Sequence, residues 1–193
     1  MLKKIVNYFL LFVSCFLLLL TTACSVLQKS INSWKDLTTE RNMQEVQIYF
    51  TKSKGAENVF FIPVVRKISK DNSIVDGTLK ELLLGPTKQE QLKGIMTEIP
   101  IGTRLIKIEE SEDEILIDLS PQYLTGGGSA SVQLRYLQLY KTFRGVTPGK
   151  KLYLHVDGKT LKTIGGEGLE VSQPLMSIND YTKKYEKTDG VEP

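Results

Sequence analysis

The feature that most restricts this chain is its first 24 residues. Phe9 to Leu20 is a nearly unbroken apolar run of 12 residues, preceded by a short positive stretch, Met1-Leu2-Lys3-Lys4. A membrane span needs about 20 apolar residues, so the run is short for a span and fits the apolar region of a secretory signal. It closes on Leu20-Thr21-Thr22-Ala23-Cys24, small residues leading to a cysteine. These residues direct the chain across a membrane, and the fold has to come from the residues after Cys24.

The ending resembles the lipobox of bacterial lipoproteins, with Ala23 at the position where the signal peptidase needs a small side chain. The resemblance implies cleavage between Ala23 and Cys24, a diacylglyceryl group on the Cys24 thiol and acylation, as by palmitate, of the freed amine. The pattern departs at Thr21, where leucine is usual; Leu20 lies one residue further back. Other readings of the same residues are an ordinary signal peptide cut near Ala23 and an uncleaved anchor helix from Ile5 to Ala23. Two or three acyl chains hold a protein on a bilayer, at about 0.8 kcal/mol per buried CH₂. The expected location is extracytoplasmic, lipid-anchored to the cell membrane, or to an outer membrane in a host that has one.

Charge and cysteine usage narrow the classes. The formal net charge is +3, and losing Lys3 and Lys4 with the leader leaves 23 basic against 22 acidic side chains. A near-neutral domain lacks the electrostatic footprint of a nucleic-acid binder. Cys15 falls inside the leader, so Cys24 has no partner for an internal disulfide. With His155 as the single histidine, neither a structural zinc site nor a Cys-His nucleophile pair is expected, nor is a cofactor.

Residues 24–44 read as the lipidated cysteine and a polar tether that would span roughly 70 Å at about 3.5 Å per residue. Residues 177–193, rich in Lys, Glu, Asp and Tyr, read as a polar tail. Between them, residues 45–176 carry clear periodicities. Val46 to Phe50 alternates as a strand. Val59 to Ile68 is a second strand, with Pro63 favouring an edge or a bulge. Ser73 and Asp76 fit a helix start, Val75, Leu79, Leu82 and Leu83 form one stripe, and Gly85-Pro86 stops the helix.

A polar loop comes next. Thr103 to Glu109 and Glu114 to Leu119 then form two strands joined by an acidic turn. Gly126-Gly127-Gly128-Ser129 precedes a long helix to about Phe143, with Val132, Tyr136, Leu139, Tyr140 and Phe143 on its apolar stripe. Lys151 to Asp157 is a strong strand, Asp157-Gly158 a tight turn, and Leu161 to Ile164 a short return strand. The order predicts an α+β fold, two helices on one face of a small mixed sheet, with an N-terminal β-hairpin added. The 103–119 hairpin is expected to be antiparallel and the last strand to pair in parallel through a crossover.

Several stretches together resemble the GerMN domain, named from a sporulation and germination lipoprotein. They are Leu82-Leu83-Leu84-Gly85-Pro86-Thr87, Thr97-Glu98-Ile99-Pro100-Ile101-Gly102-Thr103, Leu119-Ser120 with Tyr123-Leu124-Thr125-Gly126-Gly127-Gly128-Ser129, and Leu134-Arg135-Tyr136-Leu137-Gln138-Leu139 leading to Val156-Asp157-Gly158-Lys159. The resemblance runs from about Val46 to Leu175. It implies an extracytoplasmic, often lipid-anchored domain without established catalysis. It also implies a ring-building-motif-like αββαβ core. The best-known member carries two such domains in tandem, whereas this chain has room for one.

Site candidates come from the residues themselves. The glycine run before a helix is either an anion site or a flexible turn that lets Ser129 cap the helix. It lacks the Lys-Ser/Thr end of a phosphate loop. Ser131, Arg135, Gln138 and Thr142 make a polar stripe. That stripe reads as a solvated face, as an Arg135 that ties the helix to the sheet through a carboxylate such as Asp118, or as a contact surface for a partner. Gly126, Gly127, Gly128, Ser129, Arg135 and Gln138 are therefore the candidate binding surface. His155 reads as a surface or half-buried residue. Glu109, Glu110, Glu112, Asp113 and Glu114 read as a charged hairpin tip without the ligand spacing of a calcium loop.

The function expected is a non-enzymatic cell-envelope lipoprotein whose single domain contacts an envelope protein; the alternative is a module for cell-wall glycan (peptidoglycan) or a small anion. Replacing Cys24 with Ser should release the protein from membranes or leave an unprocessed precursor, read by fractionation and gel mobility. Unchanged partition and size would exclude lipidation there.

Overall fold

The computed structural model describes residues 28–29, 42–54, 58–166 and 168–176. The leader with Ala23, the lipid-bearing Cys24, nearly all of the tether and the tail after Met176 lie outside them. The chain divides at Met43 and Gln44 into two units, and the strands and helices of the fold make up the second.

Two strands come first, β1 (Met43–Lys54) and β2 (Asn58–Ser69). They lie side by side, with a two-residue strand β3 (Ile95–Met96) on the other flank of β1, in the order β2-β1-β3. Strand β3 pairs antiparallel with β1 through Thr51–Met96 and Lys52–Ile95. Alternation sends Val46, Ile48 and Phe50 into the core while Glu45 and Gln47 meet solvent, as a period of two requires. Pro63 lacks an N–H for a ladder and sits on the edge strand, where that costs least.

Helix α1 (Ile74–Leu84) starts where Ser73 Oγ accepts from the Val75 amide, and Asp76 lies in its first turn. It stops at Gly85, whose φ of 76° suits a residue without Cβ. Val75, Leu79 and Leu82 are fully buried, each contributing about 1.5–3 kcal/mol of hydrophobic stabilisation. The next segment, read as a loop from its polarity, holds a second short helix, α2 (Lys88–Leu92). Here the reciprocal capping box is complete: Thr87 Oγ1 accepts from the Glu90 amide, and the Glu90 carboxylate accepts from the Thr87 amide. An isolated five-residue helix is too short to persist alone, and no apolar period announces it.

The same Glu90 carboxylate takes both guanidinium Nη groups of Arg66 on β2, at 2.8 and 2.6 Å. Arg66 Nε lies 3.5 Å from Glu81 on α1, and its Cζ stands 5.7 Å from the Phe50 ring centre. One fork thus ties β2 to both helices.

Strands β4 (Leu105–Glu110) and β5 (Glu114–Leu119) form the antiparallel hairpin. After a 3₁₀ turn (Pro121–Leu124), helix α3 (Ser129–Val146) crosses to β6 (Lys151–Val156), which pairs in parallel with β5. Asp157 and Gly158 both take positive φ, the conformation of a tight hairpin turn. The chain returns as β7 (Lys159–Thr160), giving the sheet order β4-β5-β6-β7.

The return strand is thus two residues earlier than the 161–164 reading. Thr163–Ile164 forms β8, paired with β9 (Leu169–Glu170) in a small separate ladder. Asp118 is buried, but its carboxylate accepts from the Gly158 amide at 3.1 and 3.0 Å and so braces the 157–158 turn. It does not pair with Arg135. The architecture is α+β. Ile115, Ile117 and Leu119 of β5, facing Leu152, Leu154 and Val156 of β6, join the stripes of α1 and α3 and the inner face of β1 in one core.

The Arg66 fork holds the Glu90 carboxyl down at about 2, with burial opposing and the Thr87 amide assisting. A depressed folded-state pKa adds stability above the ordinary carboxylate value, lost as pH falls toward the folded value. Acid should therefore weaken the fold between roughly pH 5 and pH 2. Glu90→Gln should be less stable than the parent at neutral pH and show a shallower loss across that window in urea titrations.

Candidate functional site

The polar stripe of α3 does not face solvent. Arg135 is 2% exposed, and Gln138 and Thr142 are fully buried. That corrects two readings of the stripe, as a solvated face and as an exposed contact surface; Arg135 does tie the helix to other parts of the chain, but through backbone carbonyls rather than the Asp118 carboxylate. The stripe instead fastens three segments of chain to the helix.

Arg135 does most of the fastening. Its Nε donates to the Glu98 carbonyl at 3.0 Å, Nη1 to the Tyr123 carbonyl, and Nη2 to those of Thr125 (3.2 Å) and Gly126 (3.0 Å). The guanidinium carbon stands 5.7 Å from the centre of the Tyr123 ring. The planar fork reaches all four carbonyls at once, which an ammonium cannot do. Burial pulls the Arg135 pKa down, while Tyr123 and Glu98 push it up; with its high ordinary value the side chain stays charged. Burial pushes the Tyr123 phenol well above its ordinary range.

The neighbours on the stripe repeat the pattern. Ser131 Oγ donates to the Glu98 carboxylate at 2.6 Å. Gln138 Oε1 accepts from the Glu98 amide at 3.0 Å, and its Nε2 donates to Thr97 Oγ1 at 2.9 Å. Thr142 Oγ1 donates to the Gln138 carbonyl and accepts from the Tyr49 amide of β1 at 3.1 Å, beyond the short β3 ladder. The loop from Thr97 to Thr103 is thus held by its backbone. Thr103 closes it, its amide and hydroxyl both donating to the Pro100 carbonyl.

The glycine run is the other wall. Gly126, Gly127 and Gly128 are exposed. Gly127 has φ of 82°, and a Cβ there would fall 2.7 Å from Ser131 Oγ and 3.2 Å from Arg135 Nη2. Glycine is needed at 127 both for its backbone and for its closeness to the fork. Ser129 is not the cap. Gly128 takes the N-cap position without a side-chain bond, and Ser129 is the first helical residue. A carboxylate of the chain itself, Glu98, reaches the first turn of α3 through Ser131, where it suits the positive helix end. A second anion would meet it there, which counts against the anion reading.

Between the two walls lies a groove of about 810 Å³. Leu84, Gly85 and Pro86 at the end of α1, Ile95 and Met96 of β3, the loop from Thr97 to Gly102 and the run from Thr125 to Gly127 line it. Arg135 and Ser131 form part of its lining from below. Three large apolar side chains on its rim are open to solvent: Leu84 at 76%, Met96 at 60% and Ile101 at 100%. Parts of the stretches that carry the GerMN resemblance line it: Leu83 to Pro86, Thr97 to Gly102, Thr125 to Gly127 and Arg135.

A sequence-family model described as Germane, sporulation and spore germination, matches residues 47–162. The chain belongs to the Germane family. Solved structures agree with this Germane fold. The tandem GerMN domains of the sporulation protein GerM from Bacillus subtilis align with a TM-score of 0.53 at 18% identity, over 70% of this chain and 46% of that one. The first GerMN domain of the same protein aligns with a TM-score of 0.50 at 13% identity, over 70% of this chain and 98% of that one. Among curated proteins, none matches.

Of the residues singled out from sequence, Gly126 and Gly127 border the groove and Arg135 underlies it, Gly128 and Ser129 begin α3, and Gln138 lies buried behind the loop. Cys24 and Ala23 lie outside the described residues. Sequence reasoning missed Glu98, Leu84, Met96 and Ile101. The signal for Ile101 was present, an isoleucine between Pro100 and Gly102 in a loop where no periodicity requires one. His155 is half-buried, with Nε2 3.1 Å from Thr160 Oγ1. In the acidic hairpin Glu109 pairs with Lys107 and Glu110 with Lys150. Among the described residues no group of acidic, histidine and cysteine side chains could hold a metal ion.

Arg135→Lys should cost about 2 kcal/mol or more, because an ammonium cannot serve one buried and three partly buried carbonyls together, and a buried group left without a partner costs about 1–3 kcal/mol. Arg135→Met should cost at least as much. Equilibrium denaturation measures this, and a loss within about 0.5 kcal/mol, the range of a surface change, would exclude the fastening role.

Proposed function

We propose that this Germane protein is a non-enzymatic envelope lipoprotein that docks another envelope protein in the groove between the 84–102 arm and the glycine run. One observation carries the reading. A loop held by its backbone to a buried arginine and glutamine displays a fully exposed isoleucine at its tip. Open apolar side chains gathered at one concave place mark an interaction site more often than singly scattered ones do. Fixing the loop beforehand lowers the ordering cost of binding.

The polar groups around the groove support a binding rather than a catalytic role. Glu98, Ser131, Arg135 and Gln138 are spent on one another and on backbone, so none of these four is set up as a nucleophile–base pair facing a substrate. Acyl chains on Cys24 would hold the domain at the membrane, with the tether setting its reach. Confinement raises the effective concentration of the domain for a partner in the same envelope. The family description places such domains in sporulation and spore germination.

The test is a single exposed substitution. Ile101→Asp should leave thermal stability nearly unchanged, since the side chain touches only solvent. It should cut in-cell crosslinking to the partner by about tenfold or more, the effect of losing one central apolar contact. Unchanged crosslinking by the Ile101→Asp protein would sink the groove as the docking site.

A further inference from the structure

The four-stranded sheet ends in an open edge. Strand β4 is outermost in the order β4-β5-β6-β7, and among the described residues no strand pairs with its outer side. The Ser111 amide donates to the Glu114 carbonyl at 2.9 Å, and the ladder continues through Glu110–Ile115, Glu109–Leu116, Ile108–Ile117 and Lys107–Asp118. Bonded and non-bonded pairs alternate along such a ladder. Lys107 and Glu109 therefore turn their backbone groups toward β5, while Ile108 and Glu110 turn theirs outward. The side chains of Lys107 and Glu109 pair with each other and are 60% and 55% exposed. Ile106, on the same strand, is 51% exposed.

The charges along this edge are antisymmetric about Ile108. Lys107 stands one residue before it and Glu109 one after; Arg104 stands four before and Glu112 four after. All four are exposed, and Arg104 and Glu112 make no ion pair among the described residues. We infer that this edge binds a second copy of the chain: two β4 strands pair antiparallel about a two-fold axis at Ile108. That register joins the two Ile108 residues through their outward backbone groups. It sets each Lys107 opposite the other copy's Glu109 and brings each Arg104 toward the other copy's Glu112. A centre at Glu110, the other outward residue, would oppose that carboxylate to itself.

Open edges are commonly guarded by charge. Charges of one sign would repel every copy, whereas this pattern accepts one register and rejects others. Exposed ion pairs contribute little each, so main-chain bonds and the cover given to Ile106 hold the pair together while the charges choose its alignment. The same surface serves both copies, as a two-fold axis requires. Confinement to one membrane raises the concentration at which copies meet. The inference uses no residue of the docking groove and stands apart from it.

The experiment co-expresses two full-length copies with different epitope tags and measures how much of one is recovered with the other from detergent-solubilised membranes. Unchanged copies should co-purify. Lys107→Glu in both copies sets like charges opposite each other twice and should lower recovery by about tenfold; Glu109→Lys in both should do the same. Mixing a Lys107→Glu copy with a Glu109→Lys copy restores both attractions and should restore recovery, as should Lys107→Glu/Glu109→Lys within each copy. Melting temperatures check that the variants fold; if either melts early, Arg104→Glu mixed with Glu112→Arg repeats the test at the outer pair. Failure of unchanged copies to co-purify would overturn the inference. So would recovery indifferent to both single reversals, or a loss that folded, complementary variants do not repair when mixed.

Discussion

A single buried guanidinium organises the loops around the groove of this molecule. Arg135 gives its N–H groups to carbonyls of Glu98, Tyr123, Thr125 and Gly126, joining two loops that are far from each other along the chain. Neither segment satisfies those carbonyls alone: Glu98, Thr125 and Gly126 lie outside helices and strands, and Tyr123 sits near the end of a single 3₁₀ turn. Buried backbone groups without partners are costly, so the loops and the helix are stable in this arrangement only together. A buried charge with no counter-charge in bidentate contact is tolerable here because several oriented dipoles replace its water. The nearby Glu98 carboxylate and the face of the Tyr123 ring add to that field.

The arrangement separates two jobs usually mixed in one surface. Polar side chains under the loops do the holding and are consumed by it. Apolar side chains above, Leu84, Met96 and Ile101, are left over by the fold, and the core gains nothing from them. A rigid frame that exposes apolar side chains tends to aggregate unless they have a partner or are set apart. Exposed charged residues nearby in the chain, Lys88, Lys93 and Arg104, favour solubility. The Arg66–Glu90–Glu81 cluster serves the same frame from the other side, anchoring the arm that carries Leu84 and α2 to β2.

Much of the architecture was legible from pattern. The Leu79–Leu82 stripe, the alternation in β5 and β6 and the Gly85 and Asp157-Gly158 signals correspond to elements in the structure. Helix α2 and strand β3 were not legible. Their residues, Lys88 to Met96, have no apolar period; α2 owes its form to a capping box and a bond with a distant arginine, and β3 to its pairing with β1. The return of the sheet was misplaced by two residues because the turn is tight and Thr160 directly succeeds Lys159 in the ladder with β6. The polar stripe of α3 was seen, and a tie through Arg135 was one of its readings, but the partner was not legible, and a helix with one apolar side and one polar side ordinarily floats its polar side in water.

What the amino-acid order determined alone was local. The apolar leader before Cys24, the periods that make strands and helices, and the glycines that allow positive φ come from neighbouring residues and need no fold to state. What only the tertiary structure decided was which polar groups meet. Arg135 was as free on paper to reach Asp118 as to reach four carbonyls, and Ile101 as free to enter the core as to leave it. Periodicity reports direction from a helix axis. It carries no information about what distant chain lies in that direction, and the groove exists because loops from before β4 and after β5 close over the same face of α3.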